Sequence, residues 1–124
     1  MENNNREQET YKIIGLCMEV HRNLGPGLLE IVYKDALEIE FATHNIPFVR
    51  EKEFKIDYKG NILKHNFYAD FVVYDDIILE LKAVKEFSSE HIARTLNYIR
   101  LSNSGIGLLV NFQSKSSQYK RYII

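Results

Sequence analysis

Between Asp70 and Ala83 the chain carries two apolar runs that read as buried strand, and each is interrupted by charge. Phe71, Val72 and Val73 follow Asp70, while Ile77, Ile78, Leu79 and Leu81 surround Glu80, with Lys82 next. Short runs of β-branched and apolar residues predict central strands. A charge buried there without a partner is costly, so Asp70, Glu80 and Lys82 require each other or a ligand. Alternation puts Glu80 and Lys82 on one face with Ile78, and Leu79, Leu81 and Ala83 on the other. Asp75-Asp76 forms a short polar turn between the runs, which predicts an antiparallel hairpin with Asp70 opposite the Glu80–Lys82 segment. Two carboxylates and an ammonium then meet near one point.

That constellation suits phosphodiester hydrolysis. Two carboxylates hold a hard divalent cation, Mg2+ or Mn2+, which neutralises a phosphate and lowers the pKa of a bound water. Lys82 then orients the attacking water or stabilises the pentavalent transition state, and offsets repulsion between the carboxylates. The competing explanation is an ordinary buried ion pair joining adjacent strands, which leads on the pattern alone. The setting of all three charges inside two apolar strands is what favours a site.

The rest of the composition limits the alternatives. A chain of 124 residues fits one domain with a single core, and its 45% hydrophobic content supports a packed globule. Residues 1–6, within the polar opening MENNNREQE, are expected to stay flexible. No apolar run reaches the length of a bilayer span and no signal segment opens the chain, so a cytoplasmic protein without membrane contact is expected. The formal net charge of −1 gives no general attraction to nucleic acid, so phosphate binding must rest on a local basic patch or a metal. Cys17 stands alone on an apolar helical stripe and reads as core filling.

In chain order, residues 7–23 predict an amphipathic helix with Ile13, Cys17, Val20 and Leu24 on one stripe and Ile14, Met18 and His21 beside it. His21 is read as a hydrogen-bonded core histidine. Gly25-Pro26-Gly27 reverses the chain into a second helix that runs to about Asn45, with Pro26 in its first turn. Leu29, Tyr33, Ala36, Leu37 and Phe41 mark its core face, whereas Lys34, Asp35, Glu38 and Glu40 are expected to be solvated. Gly27, Glu30 and Tyr33 recur every third residue and should be neighbours on the helix surface. Glu30 has a purely local explanation too, because a first-turn carboxylate is favoured by the helix dipole.

Phe48 to Tyr58 alternates as a half-exposed strand, with Phe48, Arg50, Lys52 and Phe54 on one face. Lys59-Gly60-Asn61 turns it into a strand from Ile62 to Tyr74. Phe54, Tyr58, Phe67 and Tyr68 invite comparison with a base-stacking platform, but cross-strand packing is the better reading. Ser88-Ser89 caps a helix to about Leu101 whose other face aligns His91, Arg94 and Tyr98. Ile106 to Phe112 is a central strand reached by that helix in a β-α-β unit. A last edge strand near Ile123-Ile124 carries the basic residues Lys115, Lys120 and Arg121.

These residues carry a resemblance. Asp70 followed by Glu80-Leu81-Lys82 on an apolar strand resembles the D…ExK signature of the PD-(D/E)XK nuclease superfamily. The segment Gly27-Leu28-Leu29-Glu30-Ile31-Val32-Tyr33 resembles the motif that names its GxxExxY family, and His91, Asn97-Tyr98 and Gly107–Phe112 resemble it downstream. The resemblance implies one α/β domain over residues 1–124, with a restriction-endonuclease-like α-β-β-β-α-β core, a mixed sheet and an extra N-terminal helix. It implies a metal-dependent deoxyribonuclease in which Asp70 and Glu80 hold the metal, Lys82 is the catalytic cation and Glu30 assists. Gly27, Tyr33 and Arg94 are then substrate-contacting residues. Where the family as a rule places glutamine, this chain has Arg94, which only donates and always carries charge. The alternative is a non-cleaving module that binds nucleic acid or another partner on the same fold. A homodimer is compatible with so small a nuclease, although no heptad or interface patch signals one.

Overall fold

The computed structural model describes residues 2–113 and 118–124, with side chains from Arg6 onward. Lys115 lies outside the described residues. Helices α1 (Glu2–Leu24) and α2 (Glu30–Thr43) lead into strand β1 (Phe48–Phe54), and a small hairpin, β2 (Asp57–Tyr58) and β3 (Asn61–Ile62), follows. Then come β4 (Phe67–Val73), β5 (Ile77–Lys82), α3 (Ser89–Leu101), β6 (Ile106–Asn111) and β7 (Gln118–Ile123). The main sheet has the order β1-β4-β5-β6-β7. Only β5 and β6 run parallel, joined by α3, so the sheet is mixed. This is the expected helix and strand order, with the hairpin set apart as its own two-stranded sheet.

Helices α1 and α2 cover one face. Ile13, Cys17 and Val20 of α1 and Tyr33, Leu37 and Phe41 of α2 pack on Phe71, Val73, Leu79, Leu81, Leu108 and Val110. Burial pushes the Cys17 thiol up to about 12, which keeps it an inert, apolar filler. Helix α3 covers the other face through Ile99, against Ala69, Val72 and Ile78. It sits close because residue 107 is glycine: a Cβ there would lie 2.5 Å from Ile99 Cδ1 and 3.2 Å from the Ile78 carbonyl. Its start is fixed by a capping box, in which the Ser88 hydroxyl accepts from the His91 N–H and His91 Nδ1 accepts from the Ser88 N–H.

Several expectations are corrected. The helical backbone of α1 begins at Glu2 rather than residue 7, and Arg6 bonds Glu9 and Asp76, tying its first turns to the β4–β5 turn. Leu24 ends α1 partly exposed instead of completing its buried stripe. Gly25-Pro26-Gly27 belongs to a loop that reaches Leu29, so α2 starts at Glu30 and Gly27 is not on its surface. Gly25 and Gly27 have φ of 71° and 100°, a left-handed geometry that suits glycine. Leu29, the residue before α2, is 74% exposed, and Lys34, expected in solvent, is only 7% exposed.

The strands also depart from simple alternation. Phe48 packs with Phe41 and Phe71 on the α1–α2 face, yet Phe54, of the same parity, stacks on Phe67 on the α3 face. In β4, Ala69 faces α3 while Phe71 faces α1–α2. Both strands therefore roll over at Glu51 and Asp70. Glu51 has a φ of 55°, a left-handed conformation that rotates the chain between Arg50 and Lys52. No pattern of apolar residues announces such a residue.

Candidate active site

The roll at Asp70 turns its side chain toward β5, where the backbone ladder stops. Strands β4 and β5 pair through Val73–Ile77, Val72–Ile78 and Phe71–Leu79. Beyond that, carboxylates replace carbonyls as acceptors. The Asp70 N–H donates to Glu80 Oε2 at 2.7 Å, and the Leu81 N–H donates to Asp70 Oδ2 at 2.8 Å. Each strand thus holds the other through one side chain, and the backbone donors stay satisfied although the ladder has ended. The price is two carboxylates side by side inside the fold.

Positive charge gathers around them. Lys34 Nζ, from α2, lies 3.0 Å from Asp70 Oδ1 and also bonds Glu51 Oε1. Lys82 follows on the Glu80 strand, half-buried, and its charge and that of Lys34 both favour the ionised form of Glu80. Burial, and after it the negative charge of Asp70, outweigh them and push the Glu80 carboxyl up to about 8 from an ordinary 4.5. Beyond Lys82 the chain is fastened by Asn111, fully buried, whose side chain bonds both the N–H and the carbonyl of Val84. The Phe112 N–H donates to the Lys82 carbonyl at 2.8 Å. The backbone behind Lys82 is therefore braced by the end of β6, through the Asn111 amide and the Phe112 N–H.

The family model of the PD-(D/E)XK nuclease superfamily matches residues 7–122, and the residues it spans include all of this arrangement. The chain belongs to the PD-(D/E)XK nuclease superfamily. Its fold is also that of a solved structure, the crystal structure of SSO0001, at a TM-score of 0.58 and 20% sequence identity. That likeness covers 74% of this chain and 49% of the other, so the chain spans about half the length of that relative. No curated protein matches the sequence.

Nucleases of this superfamily generally use divalent metals. The donor set here fits a hard dication in kind: two adjacent carboxylates, one of them held toward its protonated form by burial and then by the charge of the other, are relieved by a cation. Among the described residues no third His, Cys, Asp or Glu side chain joins them in a metal-holding group. Mg2+ needs no more than one or two protein carboxylates when substrate phosphate and water complete its shell.

The remaining expected residues lie in different relations to the pair. Glu30, the first residue of α2, is half-buried, and its side chain makes no hydrogen bond or ion pair with any described residue. Tyr33 is fully buried, stacked on Phe112 at 4.6 Å. Its hydroxyl donates to the Gly25 carbonyl and accepts from the Leu28 N–H, so it fastens the loop that holds Gly27. Gly27 is exposed in that loop. Arg94 is exposed on α3 and lines a groove of about 430 Å³ with Ile56, Phe67, Asn97 and Tyr98. Tyr98 stacks on Phe67 at 4.3 Å, and burial, then the charge of Glu80, pushes its hydroxyl above the ordinary tyrosine range. His21 is buried beside Phe112, as a core histidine.

Sequence reasoning missed Lys34 and Glu51. A signal for Lys34 existed, because Lys34, Leu37 and Phe41 are spaced three and four apart, the spacing of a buried stripe. A lysine on such a stripe requires an acidic partner, and Asp70 was available. Glu51 offered no comparable signal, since its placement depends on its own left-handed backbone.

Proposed function

We propose that this chain is a metal-dependent nuclease that hydrolyses phosphodiester bonds in DNA, of the GxxExxY group within its superfamily. The observation that carries this reading is the parting of β4 and β5 at Asp70 and Glu80, which sets two carboxylates together with Lys82 following on the same strand. Asp70 and Glu80 would hold the dication, which when bound supplies phosphate neutralisation and a more acidic water. Lys82, whose main chain is fixed through Phe112, presents a positive charge for the attacking water or for the charge that develops on the phosphoryl group. Tyr98 offers a hydroxyl donor on the α3 side, and burial and then Glu80 disfavour its phenolate further.

A second reading, a non-cleaving binding module, draws on the ion pair of Lys34 with Asp70, which already compensates one carboxylate. The deciding experiment compares wild type with Lys82→Ala on single-stranded, duplex and branched DNA and on RNA, with Mg2+ or Mn2+. Metal-dependent cleavage of DNA that falls by about a hundredfold or more in the variant is expected. Absence of cleavage by the wild type, together with absence of metal binding by calorimetry, overturns the nuclease reading in favour of the binding module.

A further inference from the structure

We propose that Lys34 is a built-in counter-ion that holds Asp70 until a divalent cation displaces it, and that Glu51 is the partner that keeps the displaced ammonium. The proposal rests on the reading of Asp70 and Glu80 as the metal-holding pair. It goes beyond that reading by making metal entry an exchange between two cations, one supplied by α2.

Three observations carry it. Lys34 reaches across from α2 to Asp70 Oδ1 at 3.0 Å, at one of the carboxylates a dication would need. The same ammonium bonds Glu51, so it has a second partner without moving far. The two acids also differ in surroundings: the side chain of Asp70 is 20% exposed and that of Glu51 48%, while Lys34 itself is 9% exposed. A buried ammonium left without a partner is strongly unfavourable, so a dication at Asp70 would have to expel Lys34 or leave it stranded. Glu51 removes that obstacle. Its left-handed φ of 55° directly opposite the Asp70 roll is a conformation that non-glycine residues seldom adopt, and here it accompanies a carboxylate aimed at Lys34. Lys82 cannot substitute for this device, because it belongs to the Glu80 strand and shares no ion pair with Asp70 among the described residues.

The arrangement predicts opposite signs for two substitutions. Removing the competing cation in Lys34→Met should tighten Mn2+ or Mg2+ binding by about tenfold to a hundredfold, within the roughly tenfold to thousandfold span over which one neighbouring charge alters proton binding by a carboxylate. Removing the receiving acid in Glu51→Gln should weaken it severalfold, since Lys34 then has only Asp70. In the double variant the Glu51→Gln effect should vanish, because there is no ammonium left to receive. Calorimetric titration of the full chain with each metal alone, without nucleic acid, reads all four proteins, and circular dichroism confirms their folding.

A lysine that only braces the helix against the sheet gives the reverse result for Lys34→Met, weaker metal binding, and that outcome overturns the proposal. So does equal affinity of Lys34→Met and a wild type that binds metal, which leaves the nuclease reading standing. Metal binding by Lys34→Met where the wild type shows none also overturns the exchange, because Lys34 then blocks Asp70 and is not displaced by the cation. Absence of binding in all four proteins overturns the metal-holding pair itself and the exchange with it. Should Lys34→Met fail to fold, Glu51→Gln decides alone, since its site is half in solvent: unchanged or tighter binding there overturns the proposal.

Discussion

The two ends of the β4–β5 pair use the same strands and opposite means of holding them together. At the turn end, Phe71, Val72 and Val73 face Ile77, Ile78 and Leu79 through the backbone ladder, and all six are buried and apolar. At the other end the ladder gives way to Asp70 and Glu80, whose carboxylates take the opposing N–H groups. The difference shows how a sheet can open without orphaning its donors. Side-chain oxygens satisfy the backbone, the strands part, and charge occupies a place where apolar packing would otherwise continue. One end supplies stability and the other carries the chemistry proposed above.

The largest effect should come from the apolar end. Leu79 is fully buried between β4 and β6, so Leu79→Ala should cost about 2–5 kcal/mol in urea unfolding, from lost burial and the cavity left behind. Lys82→Ala, one turn of alternation beyond Glu80 and half-exposed, should change unfolding by far less while removing cleavage. Comparable losses of stability in the two variants would show that the division between the ends is false.

The charged end should reveal itself through pH. Glu80 is raised from an ordinary 4.5 to about 8, so between those limits the folded chain holds a proton that the unfolded chain has released. Stability must then fall as pH rises across this window, by up to about 1.4 kcal/mol per pH unit for one proton. Glu80→Gln keeps an oxygen for the Asp70 N–H and cannot ionise. Measured in chelator from pH 5 to 8, its unfolding free energy should be flatter than that of the wild type and should exceed it toward the alkaline end. Parallel profiles would mean that Glu80 is not held toward its protonated form.

The ease of reading differs between the ends for the same physical reason. Alternation and the Asp75-Asp76 turn predict the hairpin, its antiparallel sense and the burial of Phe71–Val73 and Ile77–Leu79, since local patterns express local burial. The meeting of Asp70 with the Glu80–Lys82 segment follows from that register. What escaped was non-local or conformational. The charge of Lys34 predicts a solvated side chain, and the partner that buries it lies 36 positions away. The alternation of Phe48, Arg50, Lys52 and Phe54 does not carry through the strand, because the positive φ of Glu51 breaks the parity. The Gly27–Tyr33 motif was legible as a motif, but its task at Tyr33 depends on a hydroxyl bonded back to Gly25 and a ring stacked on Phe112.

The smallest effect belongs at the margin of the charged end, at Arg94. Its side chain is exposed, and its charge reaches Tyr98, where it opposes the influence of Glu80 and Asp70. Solvent screening limits what one exposed charge does to metal held at the carboxylates, so Arg94→Gln should tighten metal binding by no more than about twofold. Phosphate is different, because a nucleic acid lying in the groove beside Tyr98 would meet Arg94 directly. Measured without metal by fluorescence anisotropy over a salt series, Arg94→Gln should weaken DNA binding severalfold and lower the slope of log K against log salt by about one. An unchanged slope would assign Arg94 to solvent and confine the charged end to the strands and Lys34. A tightening of metal binding as large as that expected for Lys34→Met would instead mean that the charged end extends onto α3, and that the boundary drawn at the parted strands is too narrow.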